Sequence, residues 1–163
     1  MSGPDTTSGP AGCTVSGYGT AVGNHTLTAT ARDNAGNTTT ASRRYTVLAW
    51  TLRGFYDPVQ MHGWWNTVRG GSTLPLKFEV FQGRHELTDT SAISSFTQQK
   101  VSCSTRTGIG NPLPIASTGG GRLHHSRYFF IQDWKTPKTP GACYQVTMTT
   151  ADSSALTAWF KLR

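Results

Sequence analysis

The chain has 163 residues and a formal net charge of +7, which is room for one ordinary domain or two small ones. Thr and Ser fill 26 and 14 positions while Glu occurs only at Glu79 and Glu86, so the residues that keep exposed helical faces helical are missing and an all-α fold is excluded. No run approaches the roughly 18 apolar residues of a membrane-spanning helix, and a 36% hydrophobic content with five Trp is too rich for a disordered chain.

Thr and aromatic residues favour a pleated, half-buried surface, so the expected class is all-β. Residues 1–12 are polar and Gly/Pro-rich, unlike the apolar centre of a signal peptide. Cys13-Thr14-Val15-Ser16 reads as a short strand and residues 17–24 as a turn. Residues 25–31 alternate with period two, placing Leu27, Ala29 and Ala31 on one face. Residues 38–47 alternate again. Between them, Asp33, Gly36 and Asn37 supply the turn: Asp and Asn hydrogen-bond the local backbone, and Gly takes the positive φ of a bulged hairpin. Residues 1–47 thus form one unit with three strands, too few for an Ig-like sandwich of about seven.

From Leu48 the character becomes aromatic. Residues 55–65 read as an irregular packed segment and 66–73 as a turn-rich link. Residues 74–81 form a strong strand with Leu76, Phe78 and Val80 on one side and Lys77, Glu79 and Phe81 on the other. Further strands are expected near 96–103, 127–134, 143–150 and 155–162, with a long loop over 104–122 that includes Gly119, Gly120 and Gly121, and a turn over 135–141. Residues 48–163 then suffice for a β-sandwich.

The three cysteines have no metal-site spacing. Cys103 ends one expected strand and Cys143 begins another, which suggests a disulfide and an oxidising compartment, the alternative being two buried thiols. Cys13 has no partner in either case.

No catalytic spacing appears, and neighbouring His124 and His125 must point to opposite faces of a strand. The chain therefore reads as non-enzymatic, with no cofactor. Calcium at Asp33, Asn34 and Asn37 would have a single carboxylate where such sites use several, so these residues read as a turn. Lys77 and Glu79 share a strand face, which fits an ion pair better than an isopeptide bond. The ten Arg are dispersed, giving no nucleic-acid arm; the basic balance serves solubility and a weak attraction to anionic surfaces such as cell walls. Trp50, Tyr56, Trp64, Trp65, Trp134 and Trp159 include mostly core rings. Tyr56, Trp64 and Trp65 are the candidate platform for a carbohydrate, Trp64 foremost, because two adjacent Trp in an irregular segment do not both point inward.

Four segments carry a resemblance: residues 54–59 (Gly-Phe-Tyr-Asp-Pro-Val), residues 65–68 (Trp-Asn-Thr-Val), residues 75–81 (Pro-Leu-Lys-Phe-Glu-Val-Phe) and residues 137–144 (Pro-Lys-Thr-Pro-Gly-Ala-Cys-Tyr). With these, residues 48–163 resemble the PxKF-type module at the C-terminal end of secreted, multi-domain actinobacterial proteins. Residues 8–47 are similar to the C-terminal half of a bacterial Ig-like or HYR-type repeat whose first half is missing. The resemblance implies an extracellular or cell-surface module with a structural or adhesive role, neighbouring Ig-like domains as partners, and no catalytic position. The incomplete first unit raises a second expectation, a fibre or virion-decoration subunit assembled by strand complementation. A carbohydrate-binding module is the third.

Overall fold

The computed structural model describes residues 9–115 and 122–163, so the Gly119–Gly121 part of the expected loop lies outside the described residues. The fold is all-β, with thirteen strands and a single 3-10 turn, Thr90–Ala92, among the described residues. The chain divides between Ala49 and Trp50, two residues beyond the boundary read from the sequence.

The first unit is one antiparallel sheet in the order β1-β2-β3, built from β1 (Pro10–Ser16), β2 (Gly23–Asp33) and β3 (Thr38–Val47). Register sorts its side chains by the pleat. One face carries Cys13, Val15, Leu27, Ala29, Ala31 and Ala41 together with Thr39 and Arg43; the other carries Thr14, Thr28, Thr30, Thr40 and Ser42. The β2–β3 turn closes as its residue types dictate. Asp33 accepts from the Asn37 backbone N–H and side-chain amide, both at 2.8 Å, and Gly36 has φ +90°. Both carboxylate oxygens of Asp33 therefore serve the turn. The loop after β1 is pinned by Tyr45, whose hydroxyl contacts both the N–H and C=O of Gly19 at 2.7 Å while its ring stacks on His25. No described residue from 9 to 49 is buried, and Cys13 is an exposed free thiol.

The second unit is a β-sandwich. Its strands are β4 (Thr51–Gly54), β5 (Trp65–Val68), β6 (Thr73–Gln82), β7 (His85–Glu86), β8 (Ile93–Val101), β9 (Gly108–Pro114), β10 (His124–Ser126), β11 (Phe129–Lys135), β12 (Cys143–Thr150) and β13 (Ala155–Leu162). One sheet has the order β10-β11-β6-β4, with β7 paired to β6; the other has the order β5-β13-β12-β8-β9. All pairings are antiparallel except β13 with β5. Three departures from the sequence reading stand out. The expected link 66–73 opens with β5, the expected loop 104–122 contains β9, and β4 precedes the irregular segment. β4 and β5 are four-residue strands whose partners lie far along the chain, so no local alternation marks them. β9 instead forms a hairpin with the preceding β8 but carries Gly108, Gly110, Pro112 and Pro114, which read as loop.

Leu76, Phe78 and Val80 face inward from β6, as the alternation requires, and meet Phe130 and Trp134 of β11 with Val146, Met148, Ala158, Phe160 and Leu162 of the opposite sheet. Each such side chain contributes roughly 1.5–3 kcal/mol on burial. Phe78 stacks on Phe130 at 5.3 Å and meets Phe96 across the core at 5.6 Å, while Trp134 donates its indole N–H to Gln98 Oε1 at 2.9 Å and packs on Phe160. Residues 55–64 carry the chain from β4 in one sheet to β5 in the other. Phe55 and Val59 are buried along the way, and Asn66 clamps the segment by bonding the N–H and C=O of Gln60. Gly54 opens this crossing at φ +105°, where a Cβ would lie 2.8 Å from the Lys77 carbonyl oxygen, so only glycine fits.

Cys103 and Cys143 form a disulfide with Cα atoms 5.3 Å apart. It joins the turn after β8 to the start of β12, its neighbour in the sheet. The 40-residue separation makes such a closure worth roughly 4 kcal/mol against the unfolded chain.

Candidate functional site

The aromatic residues singled out in the sequence separate into three settings. Trp134 is fully buried in the core. Trp50 is half-buried, and its backbone N–H donates to Asp152 Oδ2 at 2.7 Å, which ties the start of the second unit to the β12–β13 hairpin. Burial raises the Asp152 pKa, but bonds from Thr150, the Trp50 N–H, and the Ser154 N–H and hydroxyl outweigh it and hold the carboxyl below its ordinary value.

Tyr56 belongs to the sheet of β6. Its hydroxyl donates to Glu79 Oε2 and its ring packs on Phe129 at 4.9 Å. Its pKa is pushed up to about 12, chiefly by desolvation, then by the Glu79 hydrogen bond and charge, with Arg53 opposing. Glu79 is thus partnered by Tyr56, and among the described residues it forms no ion pair with Lys77. The proposed three-ring platform is therefore divided: Tyr56 sits on one sheet, Trp65 on the other.

Trp65 lies on the outer face of the β5-β13-β12-β8-β9 sheet, in register with Trp159 of β13. The two rings meet edge to face at 5.9 Å. Over both stands Arg106, with its guanidinium carbon 5.0 Å from each ring centroid and a hydrogen bond to the Gly63 carbonyl. A guanidinium over an indole face is the favoured cation–π pairing. Arg106 reaches this point from the tight turn between β8 and β9, closed by bonds from Arg106 N–H to Ser102 O and from Ser102 N–H to Thr107 O. Its φ is +60°. Trp64, the next residue after Gly63, projects outward and is 66% exposed. Trp65, Trp159 and Arg106 are thus one cluster of two indoles and a fixed cation, with the exposed Trp64 beside Trp65 in the chain.

The surrounding sheet is chemically uniform. None of β5, β8, β9, β12 and β13 contains Asp or Glu, whereas the opposite sheet carries Glu79, Glu86 and Asp133. Lys161, two residues beyond Trp159, adds an exposed ammonium on the same face. The sequence groups Trp159 with rings that are mostly core; the signal that marks it as outward is its place in the alternation between buried Ala158 and Phe160. Arg106 had no such signal, because a turn stapled next to Cys103 delivers it.

The histidines disperse. His25 stacks on Tyr45, His124 contacts the Arg122 carbonyl at 3.0 Å, and His125 lies half-buried against Phe130 with Nε2 3.5 Å from Glu86 Oε1. A groove of about 420 Å³ lies beside Trp50, His85, Glu86, Leu87 and Asp89. The Asp89 carboxyl is held below its ordinary value by the Ser91 backbone N–H it accepts at 2.8 Å.

No protein-family model matches the chain, and no curated protein matches it either.

Proposed function

We propose that the chain is a non-catalytic, extracellular module with a structural and adhesive role, of the kind its PxKF-type segments point to. The observation that carries this reading is the disulfide-closed sandwich: a cross-link persists in an oxidising compartment and is rare in a reducing one. Three of the four resembling segments have structural work in it. Residues 54–59 begin the crossing between sheets, Pro75–Phe81 lies in the central strand β6, and Cys143 anchors the cross-link. The test is fractionation of the producing cell combined with retention of the purified protein on intact cell walls. Oxidised protein outside the cytosol, retained by walls, is expected; cytosolic protein with reduced Cys103 and Cys143 overturns the reading.

A second reading, assembly through the first unit, is favoured by one observation. The three-stranded sheet leaves Val15 65% exposed on the same face as Leu27 and Ala29, with β1 and β3 as its two edges. The occupant of that face would be a second copy of the chain, sheet against sheet. Sedimentation equilibrium decides it: concentration-dependent association abolished by Leu27→Asp supports assembly, and a monomer at all concentrations rejects it.

A further inference from the structure

We infer that Trp64 and Arg106 form a binding site for an acidic polysaccharide, one whose sugar rings carry carboxylates. This rests on the adhesive reading above and names its partner. Trp64 offers an indole face that the fold leaves 66% exposed. A large ring that could have been buried is costly to leave in water, and the apolar C–H face of a pyranose is a natural cover for it. Arg106 supplies the second half. Its guanidinium is held by the Gly63 carbonyl and by two indole rings, so it loses little freedom when a ligand arrives.

The cation is fixed one residue from the exposed ring, and among the described residues its side chain has one hydrogen-bond acceptor, the Gly63 carbonyl, and no carboxylate partner. A guanidinium has five N–H donors arranged to match a carboxylate, so most of its donor capacity is left for a ligand. The five strands around it contain no acid, and Lys161 adds positive charge. That field favours a carboxylate-bearing sugar over a neutral one. A nucleic acid would need a track of phosphate contacts to bind tightly, and this face carries two cations beside its Trp cluster. The edge-to-face angle of 72° between Trp65 and Trp159 also leaves no broad coplanar platform for a crystalline neutral polymer. A single sugar stacked on Trp64, with its carboxylate turned to Arg106, needs no such platform.

The experiment is affinity electrophoresis and calorimetry of the intact oxidised protein with polygalacturonate, dextran and polyphosphate, together with retention on cell walls. The variants are Trp64→Ala, at an exposed ring, and Arg106→Asn, chosen because Asn tolerates the φ of +60°; unchanged thermal melting certifies both folds. Binding to polygalacturonate alone, weakened about tenfold or more by each variant, is expected. Four results overturn the inference: no binding to polygalacturonate, binding indifferent to Trp64→Ala, equal binding to polyphosphate, or equal binding to dextran. Walls that retain Trp64→Ala as well as the parent protein leave the adhesive reading standing without this site. Walls that retain neither remove both.

Discussion

Residues 9–49 and residues 50–163 both form sheet from alternating, Thr-rich strands, yet they differ in what the inward side chains meet. In the first unit, alternation sorts Leu27, Ala29 and Ala31 from the Thr face but leaves no side chain buried. In the second, the same alternation places Leu76, Phe78 and Val80 against a facing sheet, where all three are fully buried. Period-two patterning therefore settles pairing and register in both units. It supplies cohesion only where a second layer covers the apolar face, because an uncovered few-stranded sheet is marginal in water.

The largest effect is expected from the centre of that second layer. Phe78→Ala should cost about 3–5 kcal/mol, read as a fall in the denaturant midpoint of the signal from the buried Trp134. The β1–β3 signal, followed by amide exchange, should stay in place; a parallel loss in both units would join what the comparison separates. Reducing the Cys103–Cys143 disulfide should remove roughly 2–5 kcal/mol from the same transition, and thermal melting with and without reductant checks it. Because the free thiol of the first unit, Cys13, is unpaired, reductant should leave that unit unchanged.

Asp152→Asn comes next. It weakens the tether that holds Trp50 to the β12–β13 hairpin, an expected loss of about 1–2 kcal/mol for one partly buried carboxylate hub. The sign with pH follows from the lowered folded pKa. The stabilisation is complete well above the ordinary value of 3.8 and is lost as pH falls through the folded value, since the unfolded state takes up the proton first. Acid unfolding curves should show this slope in the parent and a flatter one in the Asn variant. The smallest effect is that of Tyr56→Phe, about 1 kcal/mol for one part-buried hydrogen bond. The Tyr56 pKa is raised from 10.0 to about 12, so its contribution is whole below pH 10 and disappears as pH rises between those two values. Ultraviolet titration should find one tyrosine ionising late, and Tyr56→Phe should abolish that late step.

Much of this architecture was legible because local chemistry set it. The Asp33-Gly36-Asn37 turn, the inward set of β6, and the limits of β12 and β13 follow from residue types and alternation alone. The cysteine pair was readable from two strand-like neighbourhoods. Most of what escaped was non-local. Strand β5 pairs in parallel with β13, far away in sequence, so its own residues give little sign of it. Strand β9 escaped for another reason, because this hairpin partner of β8 is written in Gly and Pro residues that read as loop. The candidate site failed as β5 did. Trp64 and Trp65 were visible as adjacent rings, and Tyr56 looked like their neighbour. The crossing at residues 55–64 sends it to the opposite sheet, while Arg106 arrives from a turn more than 40 positions away.

The most direct test of the contrast between the units is hydrogen exchange of the intact, oxidised chain at low micromolar concentration. Amides of β8, β12 and β13 should exchange only through global unfolding, while those of β1–β3 exchange orders of magnitude faster through local opening. Equal protection in both units would show that the first sheet has a layer covering it and would contradict the comparison.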